Sequence, residues 1–155
     1  MGFRGGNAWL SRPPLVALVL LLACGQVLAR DYSVEELKGR VASASVADRP
    51  GLCLQISERE LDAADQLYAG GESGKAQAAL VDVAAFSELA RDYAIQSHKH
   101  EKQSEIAVRK MTRKLTNLKH AVTHEEQQQV QETIDRLERV RDDLLSAMFP
   151  NGKKR

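Results

Sequence analysis

Aromatic side chains are scarce, with one Trp, three Tyr and three Phe making up 5% of 155 residues. So low a content suits one small domain or an elongated helical body rather than two globular domains. Strong charge of either sign is also missing. The formal net charge is +1, and removal of Arg4 and Arg12 with an export signal leaves 20 basic against 21 acidic residues. That balance excludes a bulk electrostatic attraction to nucleic acid. The longest apolar run, Leu15 to Ala23, is LVALVLLLA, about half of the ~20 residues that a membrane span requires, which excludes a permanent transmembrane helix there. Cysteine is limited to Cys24 and Cys53. Cleavage after Ala29 leaves Cys53 alone, so an internal disulfide is excluded. Its apolar surroundings in GLCLQI predict a buried thiol, and no histidine lies nearby in the chain to activate it.

What the first residues do have is the three-part pattern of an export signal. Arg4 and Arg12 supply positive charge, the apolar run follows, and Val27 to Ala29 offers the small residues that a signal peptidase reads. The predicted signal peptide is 1–29, and the expected location is the periplasm or the exterior. A second reading stands beside it. Leu21 to Cys24, LLAC, resembles a lipobox, in which Cys24 becomes a lipidated amino terminus that holds the protein on a membrane surface.

From Ser33 onward the sequence reads as helix. Ser33 and Glu36 have capping-box spacing ahead of Val34, Leu37 and Val41, predicting a short helix over 33–45. ASVADRPG interrupts it, and Asp48 with Pro50 opens a second helix over 49–69. Neither glycine nor proline occurs from Lys75 to Val122. That absence predicts one long helix over 75–122, about 70 Å long at ~1.5 Å per residue, whose weak point is Gln96 to Ser104, where the apolar spacing lapses. Val108, Met111, Leu115, Leu118 and Val122 form a heptad seam in its second half. Thr123 and Glu126 repeat the capping-box spacing and start a last helix over 123–148, leaving a basic tail at 150–155. The basic side chains before the last turn and the acidic ones after it favour an antiparallel pairing with Leu118 beside Ile134, Leu115 beside Leu137 and Val108 beside Leu144.

Three motifs invite chemistry. LYAGGESGKAQAAL, Leu67 to Leu80, approaches the phosphate-loop pattern, but helix-forming ELDAADQLY precedes it where a strand is needed, and Ala76 replaces the hydroxyl that would hold magnesium. The glycines are therefore expected to end one helix and let the next begin. His98 and His100 lie about 200° apart around a helix and cannot chelate one ion together, and a helix start separates His120 from His124. No metal or other cofactor is expected. The run RKMTRKLTNLK, Arg109 to Lys119, spends Met111, Leu115 and Leu118 on packing, so it reads as the solvated face of a packed helix rather than a nucleic-acid site.

Within LDAADQLYAGGESGKAQAAL an aromatic residue and a glycine precede a small residue of the second helix, and this segment resembles a single helical hairpin of the tetratricopeptide class. More broadly, the export signal, DRPGLCLQISERELDAAD and IDRLERVRDDLLSAMF make the chain similar to small exported all-helical proteins of bacteria with no assigned activity. That resemblance implies a fold and no reaction. The expectation is an all-α fold of elongated antiparallel hairpins, a three- to four-helix bundle with one long central helix, over residues 30–149. Its expected role is non-enzymatic: a structural or interaction module of the cell envelope. It would take a protein partner or a second copy on helix faces around Phe86, Tyr93, His98 and His100, and touch a membrane only if lipidated at Cys24.

Overall fold

The computed structural model describes residues 32–150. The segment 1–29 expected to be a signal peptide, with Cys24, and the basic tail beyond Pro150 lie outside the described residues. Among the described residues every regular element is a helix: α1 (Val34–Ser43), α2 (Arg49–Ala69), α3 (Ser73–Ser97), α4 (Glu101–Ala121) and α5 (His124–Met148). The all-α expectation holds, and α2 and α5 fall where the hydrophobic periodicity puts them.

The helix expected over 75–122 is instead two helices, parted at His98–His100 inside the segment whose apolar spacing lapses. No glycine or proline marks the break. His98 takes left-handed backbone geometry (φ 52°) as the residue that ends α3, and His100 (φ 65°) does so just before α4. Histidine is among the non-glycine residues that tolerate this region best. The Lys99 N–H reaches the Ala94 carbonyl (3.2 Å) and the His98 N–H reaches that of Ile95 (3.3 Å), a Schellman ending with histidine in the glycine position. Folding back there buries the heptad seam of α4 instead of leaving it on a rod.

The GGESG turn makes the same ending with glycine itself. Gly71 has φ 76°, Glu72 N–H bonds Leu67 O (2.8 Å) and Gly71 N–H bonds Tyr68 O (3.0 Å). At the other starts, Ser33 and Glu36 bond reciprocally (2.8 and 3.2 Å), and the Glu126 carboxylate accepts from the Thr123 N–H (2.9 Å) and hydroxyl (2.8 Å). Asp48 departs from expectation. It precedes α2 but makes no capping bond, because its carboxylate accepts from the Ser45 hydroxyl (2.6 Å).

The helices form two antiparallel hairpins, α2–α3 and α4–α5, laid one on the other so that α2 runs alongside α4 and α3 alongside α5. Cross-links fix the sense: Lys114 on α4 pairs with Asp62 on α2, and Arg136 on α5 grips Glu88 on α3 through two 2.8 Å bonds. One core runs through both hairpins, with Leu80, Val83, Val108, Leu115, Val130, Leu137, Val140 and Leu144 fully buried. Each such side chain contributes about 1.5–3 kcal/mol of hydrophobic stabilisation. The seam residues Leu118, Ile134, Leu115, Leu137, Val108 and Leu144 all lie in that core. Helix α1 packs on α2, buries Leu37 and reaches α3 through Lys38 and Asp82 (3.3 Å).

Candidate interaction surface

The residues expected to form a docking stripe divide into two environments. Phe86 and Tyr93 are half-buried on α3 and pack against the core. The Lys38 ammonium of α1 sits 5.6 Å from the Phe86 ring, and the Arg49 guanidinium at the start of α2 sits 5.1 Å from the Tyr93 ring. These cations cover the rings and gain from their π faces, so the stripe is already partnered within the chain. His98 and His100 are exposed in the α3–α4 turn, with the His98 imidazole 3.9 Å from Glu101. The structure thus does not join the four residues into one open face.

Cys53 behaves as its neighbours predict: it is free and fully buried, and burial pushes its thiol up to about 11. Near it a buried polar contact ties α2 to α3. The Ser57 hydroxyl donates to the Val83 carbonyl (3.2 Å), and Ser87 Oγ lies 2.7 Å from that carbonyl and 3.2 Å from Ser57 Oγ. No histidine or carboxylate takes part, so the pair is a structural bond with no base to activate a hydroxyl.

A cleft of about 450 Å³ opens where the two hairpin turns meet, lined by Asp65, Tyr68, Ser73, Leu118, Thr123 and Glu126 among others. Three of its polar side chains, Ser73, Thr123 and Glu126, bond to one another. Glu126 accepts from Ser73 as well as from Thr123, and these bonds hold its carboxyl below the usual carboxylate range. The Tyr68 hydroxyl is buried without a partner, and burial beside Glu126 raises its pKa. Among the described residues no three His, Cys, Asp or Glu side chains gather as metal ligands. His98 and His100 sit at the opposite end of α4 from His120 and His124.

The feature that sequence spacing alone missed is how burial sorts charge on the second hairpin. On α4 the exposed charged side chains are Lys102, Arg109, Lys110, Arg113 and Lys114, while Glu101 is half-buried and Glu105 is buried. Glu105 is only 7% exposed, bonded to Arg141 on α5 (3.0 Å) and 3.8 Å from Arg109. On α5 the pattern inverts: Glu125, Glu132, Asp135, Glu138, Asp142 and Asp143 are exposed, with Arg139 the exposed cation. Arg136 and Arg141 are drawn inward to Glu88 and Glu105. Glu105, Arg136 and Arg141, minority charges of their helices, are used for internal bonds, so the outward surfaces become purer in sign than the sequence they come from. Net charge by segment shows the trend, but the sorting needs the three-dimensional neighbours.

Comparison with protein-family models, with curated proteins and with solved structures finds no match. Function therefore has to be argued from these surfaces.

Proposed function

We propose that the protein is an exported, non-enzymatic helical module that works by protein interaction in the cell envelope. The observation that carries this reading is the outward charge separation of the second hairpin, an exposed basic set on α4 beside a mostly acidic one on α5. Such surfaces steer and orient a partner of complementary pattern more than they bind any small molecule. The amino-terminal pattern of Arg4, Arg12, the apolar run and Val27–Ala29 supports export. Supporting the non-enzymatic part, the buried hydroxyl pair Ser57 and Ser87 has no base beside it, and Glu126, one of two carboxylates lining the 450 Å³ cleft, is engaged by Ser73 and Thr123.

The alternative reading, a lipid-anchored protein at the membrane surface, rests on Cys24 in LLAC. Intact mass spectrometry of protein recovered from cell envelopes separates the two. The proposal expects a mass beginning at Arg30. A mass beginning at Cys24 with added lipid moves the module onto the membrane, and a mass retaining Met1 in the cell interior overturns export.

A further inference from the structure

From the charge pattern of the α4–α5 hairpin we infer that its outward face docks a second copy of this chain, each α4 lying antiparallel on the other copy's α5. This deepens the interaction reading above and rests on it. Three observations carry it.

The first is position. Helix α4 rests on α2, and α5 rests on α3, so the hairpin's opposite side has no neighbour among the described residues, whereas the first hairpin has α1 on its flank. The second is chemistry. The side of α4 turned away from its Lys114–Asp62 contact presents Lys102, Arg109 and Arg113, steps of seven and four residues that share one helix face. The matching side of α5, turned away from Arg136 and its Glu88 partner, presents Asp135, Glu138 and Asp142, with Arg139 the one cation among them. A polyanion such as nucleic acid or an anionic membrane would meet the basic helix only with the acidic one beside it. A second copy is the partner that offers both signs, in the right order, on two helices at the same spacing.

The third observation is register, which selects one arrangement. Two such faces can meet about a two-fold axis lying across the helices or along them. Across them, α4 faces α4 and like charges meet. Along them, α4 of one copy faces α5 of the other, and the rotation preserves height along the bundle. Contacts inside the hairpin then act as a ruler: Lys119 bonds Gln131 (2.7 Å) and Glu105 bonds Arg141 (3.0 Å). On that ruler Arg113 stands level with Asp135, Arg109 with Glu138 and Lys102 with Asp142, so all three cations meet acids about the lengthwise axis. The face is about 30 Å long and two helices, about 20 Å, wide. Its area is near 600 Å² per copy, below the ~800 Å² of a standard stable interface. The dimer is accordingly weak and salt-labile.

The test is sedimentation of the protein purified from an expressing bacterium, with helicity checked in every variant. Wild type is expected to dimerise at low salt and to weaken at least about tenfold when salt rises from ~0.05 to ~0.5 M. The double variants Arg109→Glu/Arg113→Glu and Asp135→Lys/Glu138→Lys are each expected to be monomeric. Mixed together they should recover a heterodimer, because the reversed α4 of one then meets the reversed α5 of the other. A wild-type monomer at low salt overturns the inference, as do reversals that leave dimerisation intact or mixtures that stay monomeric. A photo-crosslinker at Arg113 in intact cells separates this failure from that of the broader reading. Adducts with a different protein overturn the second copy alone; no adduct of any kind overturns both.

Discussion

The two hairpins share a plan and differ in what covers them. In α2–α3 the connecting turn uses glycine in the left-handed position, the interior holds alanines and the Ser57–Ser87 contact, and α1 lies on the outside. In α4–α5 the interior is larger aliphatic side chains set in a strict heptad seam, and the outside carries charge sorted by helix. Helix α3 touches α2, α4 and α5 and is apolar around most of its girth, while α5 touches only α3 and α4. The first hairpin is therefore the structural centre and the second is the surface. A helix that must satisfy several neighbours loses its amphipathic signature, and a helix with one free side keeps it.

The largest effect should come from cutting that centre. Leu80→Ala on α3 is expected to cost about 3–5 kcal/mol in chemical denaturation, and Leu137→Ala on α5 about 2–4 kcal/mol, the difference reflecting the extra neighbour of α3. Equal losses would mean that the hairpins contribute alike to the core.

Next comes the clamp between hairpins. Two bonds from Arg136 hold the Glu88 carboxyl below the usual carboxylate range. Because the folded value is depressed, the pair stabilises fully at pH above the unfolded carboxyl's range, and the contribution disappears as pH falls through the folded value. Both groups are about one-third exposed, so Arg136→Met should cost only about 1 kcal/mol at neutral pH. Unfolding curves collected down the pH scale should show the wild-type advantage vanishing in acid. A pH-independent gap would point to packing of the arginine stem instead of the ion pair.

Smaller still is the α3–α4 turn. Replacing His98 in its left-handed backbone by glycine should be neutral or stabilising by up to about 1 kcal/mol, while His98→Val should destabilise by a similar amount. Should His98→Val prove harmless, the turn does not require that geometry. The smallest effect belongs to Asp62→Asn, which frees Lys114. It should cost no more than about 0.5 kcal/mol and nothing measurable at high salt.

These elements also mark what was readable in the residues alone. Both capping boxes, the glycine turn, the burial of Cys53 and the seam of Val108, Leu115 and Leu118 follow from local rules of spacing and side-chain chemistry. The break at His98–His100 was legible only as a lapse in apolar spacing. What decides it is the gain from folding α4 back onto the core, a tertiary term that overrides the local preference of GKAQAALV and its continuation for unbroken helix. The stripe at Phe86 and Tyr93 looked open because Lys38 and Arg49 are remote in sequence, yet these cations stand over the rings. The sorted faces of α4 and α5 were hidden for the same reason, since which charges turn inward depends on partners such as Glu88 and Glu105 on other helices.

The central claim is that the second hairpin presents the working surface. Its most direct test is photo-crosslinking in intact cell envelopes with the reactive residue placed at Arg113 or Glu132 on that hairpin, and at Val81 or Leu89 on the exposed side of α3. The account predicts discrete adducts from Arg113 and Glu132, suppressed by high salt, and none from Val81 and Leu89. Adducts confined to Val81 and Leu89 would contradict it and make the apolar side of the first hairpin the surface that matters.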